Sequence, residues 1–237
     1  YEKSGELGGV FIAAAAPSFK EKDRDLITWY RRELTKYPTI EVKLNTEVTD
    51  IAALSADEVV IATGSKANRI PVPGADKAIQ AVDFLLGKEE VGQNVVIIGG
   101  GSVGCELADF LAPTLNDRFP RNRKVTVLEM LPEIMMTEGG VVRSKLAMRM
   151  MEKGIRIESG AKVTAVTENT IAFEKDGTEY TIKDADTLVF ANGYHVESAM
   201  EEMLKASGVT YHLIGDGAKV GNIKDAISGA YEIARTL

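Results

Sequence analysis

Cysteine, histidine and tryptophan are nearly absent from this 237-residue chain, with one, two and one copies respectively. With Cys105 as the only thiol, an internal disulfide is excluded, and no Cys-x-x-Cys pair exists to act as a redox dithiol or to hold a cluster. That usage fits a reducing cytoplasm. His195 and His212 lack a partner at ligand spacing, so no metal site is expected. No combination of nucleophile, base and orienting group is recognisable either, and no catalytic side chain is nominated. Long apolar runs are also missing. The stretch from Gly9 to Pro17 is far too short to span a bilayer and follows an acidic segment, so neither a membrane helix nor a signal peptide is expected. Excess positive charge is lacking as well. The formal net charge of -7 gives no broad field to hold a phosphate backbone, which argues against a nucleic-acid partner. Aromatics make up only 6%, whereas 22 glycines suit alternating strands and helices with tight turns better than an all-β sandwich. The 45% hydrophobic content is enough for one large core or two modest ones.

Leu26, Ile27, Tyr30, Leu34 and Tyr37 recur at spacings of three and four, which predicts an amphipathic helix over Lys20 to Tyr37, ended by Pro38. Ile40 to Leu44 and Glu58 to Ala62 read as short strands, the second running into Thr63-Gly64. After a loop at Pro71, Pro73 and Gly74, a new unit opens with a buried strand, Val95 to Ile98. A glycine cluster follows it, then a helix from about Val103 that stops near Pro113. A polar stretch, Thr114 to Lys124, precedes the strand Val125 to Leu128. Val141 to Lys153 reads as a helix stopped by Gly154, and Val163 to Ile182 as three strands turning at Asn169 and Asp176-Gly177. Asp186 to Phe190 and Leu213-Ile214 are further strands, and Ile223 to Leu237 reads as a closing helix.

Two segments follow one programme: a strand ending in Glu, a Gly-Gly pair with a helix, and a strand followed by Ala-x-Gly. The first has Glu2, Gly8-Gly9 and Ala62-Thr63-Gly64; the second has Glu129, Gly139-Gly140 and Ala191-Asn192-Gly193. Four features matched in order at nearly equal separation predict two related nucleotide-binding domains. The second segment is preceded by a strand, a glycine loop and a helix. By analogy the first has lost these elements, so the chain is expected to be a fragment of a longer protein.

Gly99, Gly101 and Gly104 satisfy the G-x-G-x-x-G pattern. Alone that is weak, but here it follows an apolar strand and opens a helix. In that setting the glycines allow a tight turn, close approach of backbone to a pyrophosphate, and close helix-to-strand packing. Free N–H groups at Ser102 and Val103 would face the diphosphate. Glu129, ending the next strand, is placed to accept from adenosine ribose hydroxyls and to repel a 2'-phosphate, which favours NADH over NADPH. The basic cluster Arg118, Arg121, Arg123 and Lys124 offers the opposite possibility, an arginine folding back onto a 2'-phosphate, beside the plainer reading of a solvated loop. Glu106 could reach a nicotinamide carboxamide or be simply a polar residue on a helix face. Cys105 reads as a small buried residue.

These residues, taken in order, resemble the C-terminal dinucleotide-binding region of the NADH:flavin oxidoreductases of the 2,4-dienoyl-CoA reductase, 2-enoate reductase and trimethylamine dehydrogenase group. The likeness rests on Tyr1 to Gly9, Leu44 to Thr49, Val60 to Gly64, Asp83 to Gly87 with the fingerprint, Leu213 to Gly217 and Gly221 to Ala226. The resemblance implies an α/β fold of two Rossmann-like domains of the glutathione-reductase type, the NAD domain inserted in a truncated FAD domain. Residues 1–90 and 208–237 would form the partial FAD domain, and 91–207 the NAD(P) domain. It further implies that Glu2 holds the FAD ribose, that Gly8 and Gly9 line its path, and that Ala62, Thr63 and Gly64 approach the dinucleotide. Gly215 and Asp216 would meet the ribityl chain, and Gly193 would serve the NAD side. The implied cofactors are FAD and NAD(H), with FMN and an iron-sulfur cluster on an upstream β/α barrel; self-association is compatible. Three functions stay open: hydride transfer from NADH to FAD with electrons passed to a partner flavin or cluster, an adenine-nucleotide-holding structural domain without turnover, and an electron-transfer module like the small subunit of glutamate synthase.

Overall fold

In a computed structural model of the chain, the described residues are 1–113, 123–197, 201, 204–205 and 208–237. They form two compact units, one of Tyr1–Ala15, Glu21–Lys66 and Tyr194–Leu237, the other of Ala16–Lys20 and Ala67–Gly193. Among the described residues no helix is long and apolar enough to cross a membrane.

The first unit carries helices α1 (Val10–Ala14), α2 (Glu21–Leu34) and α6 (Ile223–Ala234) and a parallel pair, β1 (Val59–Ile61) beside β12 (Tyr211–Leu213). Its core is small, built on Ile51, Ile61 and Leu204. A second two-stranded pair joins β2 (Ser65–Ala67) to β11 (Tyr194–Val196). Helix α6 begins with a capping box, in which Asn222 and Asp225 each accept the other's backbone N–H. The expected strand at Ile40 to Leu44, and the one ending at Glu2, are not strands. Glu2 N–H donates to Lys43 O, Thr46 N–H to Glu2 O and Asn45 N–H to Ser4 O, each at 2.9 Å, so the segments touch through a few bonds rather than a continuous ladder.

The second unit is a five-stranded parallel sheet in the order β3-β10-β4-β5-β6. Its members are β3 (Ile79–Gln80), β4 (Asn94–Ile98), β5 (Lys124–Glu129), β6 (Arg156–Ser159) and β10 (Thr187–Phe190). The apolar run of β4, Val95 to Ile98, is continuous because both faces are covered. Val95, Ile97, Val125, Val127 and Val189 pack against α4 (Ser102–Leu111) and α5 (Gly140–Glu152). Val96, Ile98, Leu128, Leu188 and Phe190 meet the antiparallel meander β7 (Lys162–Val166), β8 (Thr170–Lys175) and β9 (Thr178–Lys183) through Val163, Val166, Ile171 and Phe173. The meander turns at Asp176 and Gly177, both at positive φ, as a two-residue hairpin requires. The compact units divide after Lys66 and Gly193. Pairing of the short β3 with β10, followed by helix α3 (Ala81–Leu85), draws residues 67–90 into the sheet unit.

Helices α4 and α5 are locked by a buried acid. Asp109, 1% exposed, receives Arg149 Nε at 3.1 Å, and Lys153 Nζ lies 2.8 Å from its Oδ1 as an ion pair outside hydrogen-bonding alignment. Breaking a buried pair by removing one partner costs about 3–5 kcal/mol. Since the Arg149 side chain is 46% exposed and can return to water, Asp109→Ala is expected to cost roughly 2–3 kcal/mol, read as a lower urea midpoint of the sheet unit. An unchanged midpoint would show that the triad contributes nothing net.

Candidate functional site

The parallel strands of the second unit deliver the turns that follow them to their carboxyl ends, where ligands bind in open α/β sheets. After β4 the chain turns through Gly99-Gly100-Gly101 into α4. Gly99 has φ 111°, and a Cβ there would lie 2.4 Å from Ala191 O, so the turn is pressed against the loop that follows β10. A Cβ on Gly104 would lie 1.9 Å from Gly99 O, which places the first turn of α4 directly on the strand end. Gly101 is different: no heavy atom lies within 4 Å of its Cβ position. Two glycines are thus consumed by packing and the middle one faces free space at the helix N-terminus.

Glu129 ends β5 beside this turn, 9% exposed. Its Oε2 accepts from Gly100 N–H at 2.5 Å and its Oε1 from Leu131 N–H at 2.7 Å. A carboxylate has about four acceptor sites, so two backbone bonds fix its direction and leave capacity for a diol. Of the basic cluster, Arg118 and Arg121 lie outside the described residues. Lys124 pairs in register with Asn94, and Arg123 donates to Gly92 O at 2.8 Å. Both therefore stand at the opposite end of β4 and β5 from Gly99, and neither folds back toward Glu129.

Two polar residues on α4, Ser102 and Glu106, have side-chain partners. The Ser102 hydroxyl donates to Glu138, and Val103 is exposed at the helix start. The Glu106 carboxylate pairs with Lys20 Nζ at 2.7 Å, a contact that sequence reading missed because Lys20 reads locally as the first residue of a surface helix. Cys105 is fully buried, with Sγ 3.3 Å from Gly100 O. Burial, with the charges of Glu129 and Glu106, pushes its thiol up to about 12, so it stays protonated and unreactive at neutral pH. Gly193 follows β10 at φ 88°, its carbonyl accepting from Asn68 N–H at 2.9 Å.

In the first unit, Ala62-Thr63-Gly64 follows β1 and Gly215-Asp216 follows β12, so both lie at the carboxyl end of the parallel pair. Ile214 N–H donates to Ile61 O at 3.0 Å, and Asp216 accepts from the Ser65 hydroxyl at 2.8 Å and from Gly221 N–H at 2.9 Å. Gly9 caps α1, and Gly8 precedes it at φ 133°. Arg31 holds this turn through Leu7 O at 2.8 Å and Glu6 at 2.7 Å. Glu2 accepts from Ser4 N–H at 2.7 Å, which turns one carboxylate oxygen back on its own backbone. Among the described residues no group of His, Cys, Asp and Glu could hold a metal ion.

The family described as pyridine nucleotide-disulphide oxidoreductase matches residues 27–216. A cinnamate reductase from Clostridium sporogenes is 34% identical over 241 residues, covering 100% of this chain and 35% of its own length. An NADH oxidase from Thermoanaerobacter brockii is 34% identical over 244 residues, covering 99% of this chain and 36% of its own length. Among solved structures, a 2-naphthoyl-CoA reductase in complex with 2-naphthoyl-CoA superposes with a TM-score of 0.88 at 27% identity, over 100% of this chain and 35% of that one. The chain thus spans about a third of the length of these relatives.

Proposed function

Since the chain belongs to the pyridine nucleotide-disulphide oxidoreductase family, we propose that it is the NADH- and FAD-binding part of a longer flavin oxidoreductase. In this reading the second unit takes NADH and the first contributes part of an FAD site, one domain being inserted in the other. The observation that carries it is the glycine turn: Gly101 opens on free space while Gly99 and Gly104 are packed, and Glu129 is held beside them by two backbone N–H groups.

When bound, the two cofactors supply the chemistry, a hydride given by the nicotinamide and an electron pair accepted by the flavin. The chain's own residues hold and orient. The N–H groups of Ser102 and Val103 at the α4 terminus face the diphosphate, and Gly101 leaves it room. Glu129 accepts from the ribose hydroxyls, and its charge disfavours a 2'-phosphate, so NADH is preferred over NADPH. Glu106, braced by Lys20, and Gly193 line the nicotinamide side. On the flavin side Glu2, Gly8, Gly9, Ala62, Thr63, Gly64, Gly215 and Asp216 are the assigned contacts, with Asp216 positioned by Ser65 and Gly221. An FMN or iron-sulfur centre elsewhere in the longer protein would be the acceptor for the electrons that leave this part. The lone buried Cys105 fits a cytoplasmic location. That the relatives are named as reductases and an NADH oxidase does not favour a nucleotide held without turnover.

Mixing the full-length protein with NADH under anaerobic conditions is expected to bleach the flavin absorbance at about 1–10³ s⁻¹, the range of ordinary enzyme turnover. NADPH should do so more slowly. Bound nucleotide with no bleaching would reject the proposal.

A further inference from the structure

Glu138 lies in the loop between β5 and α5, and its carboxylate accepts the hydroxyl hydrogen of Ser102, the first residue of α4. Its position is enforced by backbone. Met135 N–H donates to Gly100 O at 2.7 Å, and Glu138 N–H donates to Met135 O at 3.0 Å. A Cβ on Gly100 would lie 2.8 Å from Ile134 Cγ2, so the same loop is packed onto the glycine turn. The half-buried Glu138 therefore stands at the mouth of the fingerprint rather than on a freely waving side chain.

A negative charge at a helix N-terminus is favourable, because the first N–H groups lack internal acceptors and the dipole is positive there. A dinucleotide's diphosphate draws on the same groups. Ser102 can give its hydroxyl hydrogen to one acceptor at a time, and carboxylate and diphosphate carry like charge. From this we infer that Glu138 is a resident anion competing with the dinucleotide's diphosphate for Ser102 and the α4 terminus, and that it must leave Ser102 when nucleotide binds. The inference rests on the nucleotide-site reading above and adds to it a residue that lowers affinity. Such a residue favours exchange of spent for fresh nucleotide, since any state bound through its diphosphate has to displace the same carboxylate.

The test is calorimetric titration of the full-length protein with ADP-ribose, a diphosphate ligand that cannot transfer hydride, and with phosphate-free adenosine. Glu138→Gln keeps an acceptor for Ser102 and removes the charge; Glu138→Ala removes both. Both variants are expected to bind ADP-ribose about five- to tenfold more tightly, the effect shrinking as salt is raised, with adenosine affinity unmoved. Unchanged or weaker ADP-ribose binding in both variants would overturn the inference, a weakening meaning that Glu138 contacts the ligand instead. Absence of ADP-ribose binding in the parent and variants alike would remove the nucleotide-site reading itself, an outcome distinct from the other two.

Discussion

Gly101→Ala should leave the second unit folded while weakening NADH binding at least tenfold, and Gly104→Ala should do the reverse, damaging the fold before binding can be asked about. The two residues are three apart in one loop-helix junction, yet their surroundings are opposite. At Gly101 the backbone is extended, φ -71° and ψ -174°, which alanine adopts without strain, and no atom lies within 4 Å of the new methyl. The methyl then occupies the space through which, in the proposed site, a diphosphate would approach the helix N–H groups, and about 1.4 kcal/mol of lost contact is a factor of ten. At Gly104 the methyl would sit 1.9 Å from Gly99 O, a backbone atom that cannot rotate away. Helix α4 must back off the sheet, at about 1–3 kcal/mol for overpacking. Urea unfolding and ADP-ribose titration of both variants separate the effects. A Gly101→Ala protein that binds as tightly as the parent would move the diphosphate away from this turn.

Glu129→Gln carries the second large effect. The amide can still accept from one of the two N–H groups now bound, Gly100 or Leu131, but its NH₂ group meets the other donor head on. An unsatisfied buried donor costs about 1–3 kcal/mol, and the ribose loses a charged acceptor. Affinity for NADH is expected to fall tenfold or more, and the proposed preference for NADH over NADPH to shrink, because the charge that would repel a 2'-phosphate is gone. Steady-state kinetics with both nucleotides measures this. An unaltered preference would mean that Glu129 serves only to tie the loop, as its two backbone bonds already do.

What was readable in advance followed from local chemistry. The run Val95 to Ile98 is apolar because both faces of β4 are covered, and the adjoining glycine spacing is demanded by a turn that packs on two backbones. The hairpin at Asp176-Gly177 and the stop at Gly154 are likewise properties of a few consecutive residues. The failures share a cause. Ile40 to Leu44 alternates like a strand, but strand identity requires a partner, and it meets only a short stretch near Glu2. Ile79-Gln80 is too short to carry a period, and becomes a strand because β10 offers it an edge.

By itself, then, the order of residues determined the α/β class, the strand-turn-helix around Gly99 to Gly104 and the acid that ends the next strand, since each depends on neighbours within a few positions. Tertiary structure alone decided which side chains face each other across long separations: Lys20 with Glu106, Asp109 with Arg149 and Lys153, Ser102 with Glu138. The reason is physical. Spacing along a chain sets a residue's place on its own helix or strand, but a hydrogen bond or ion pair between elements exists only after packing has chosen which faces meet.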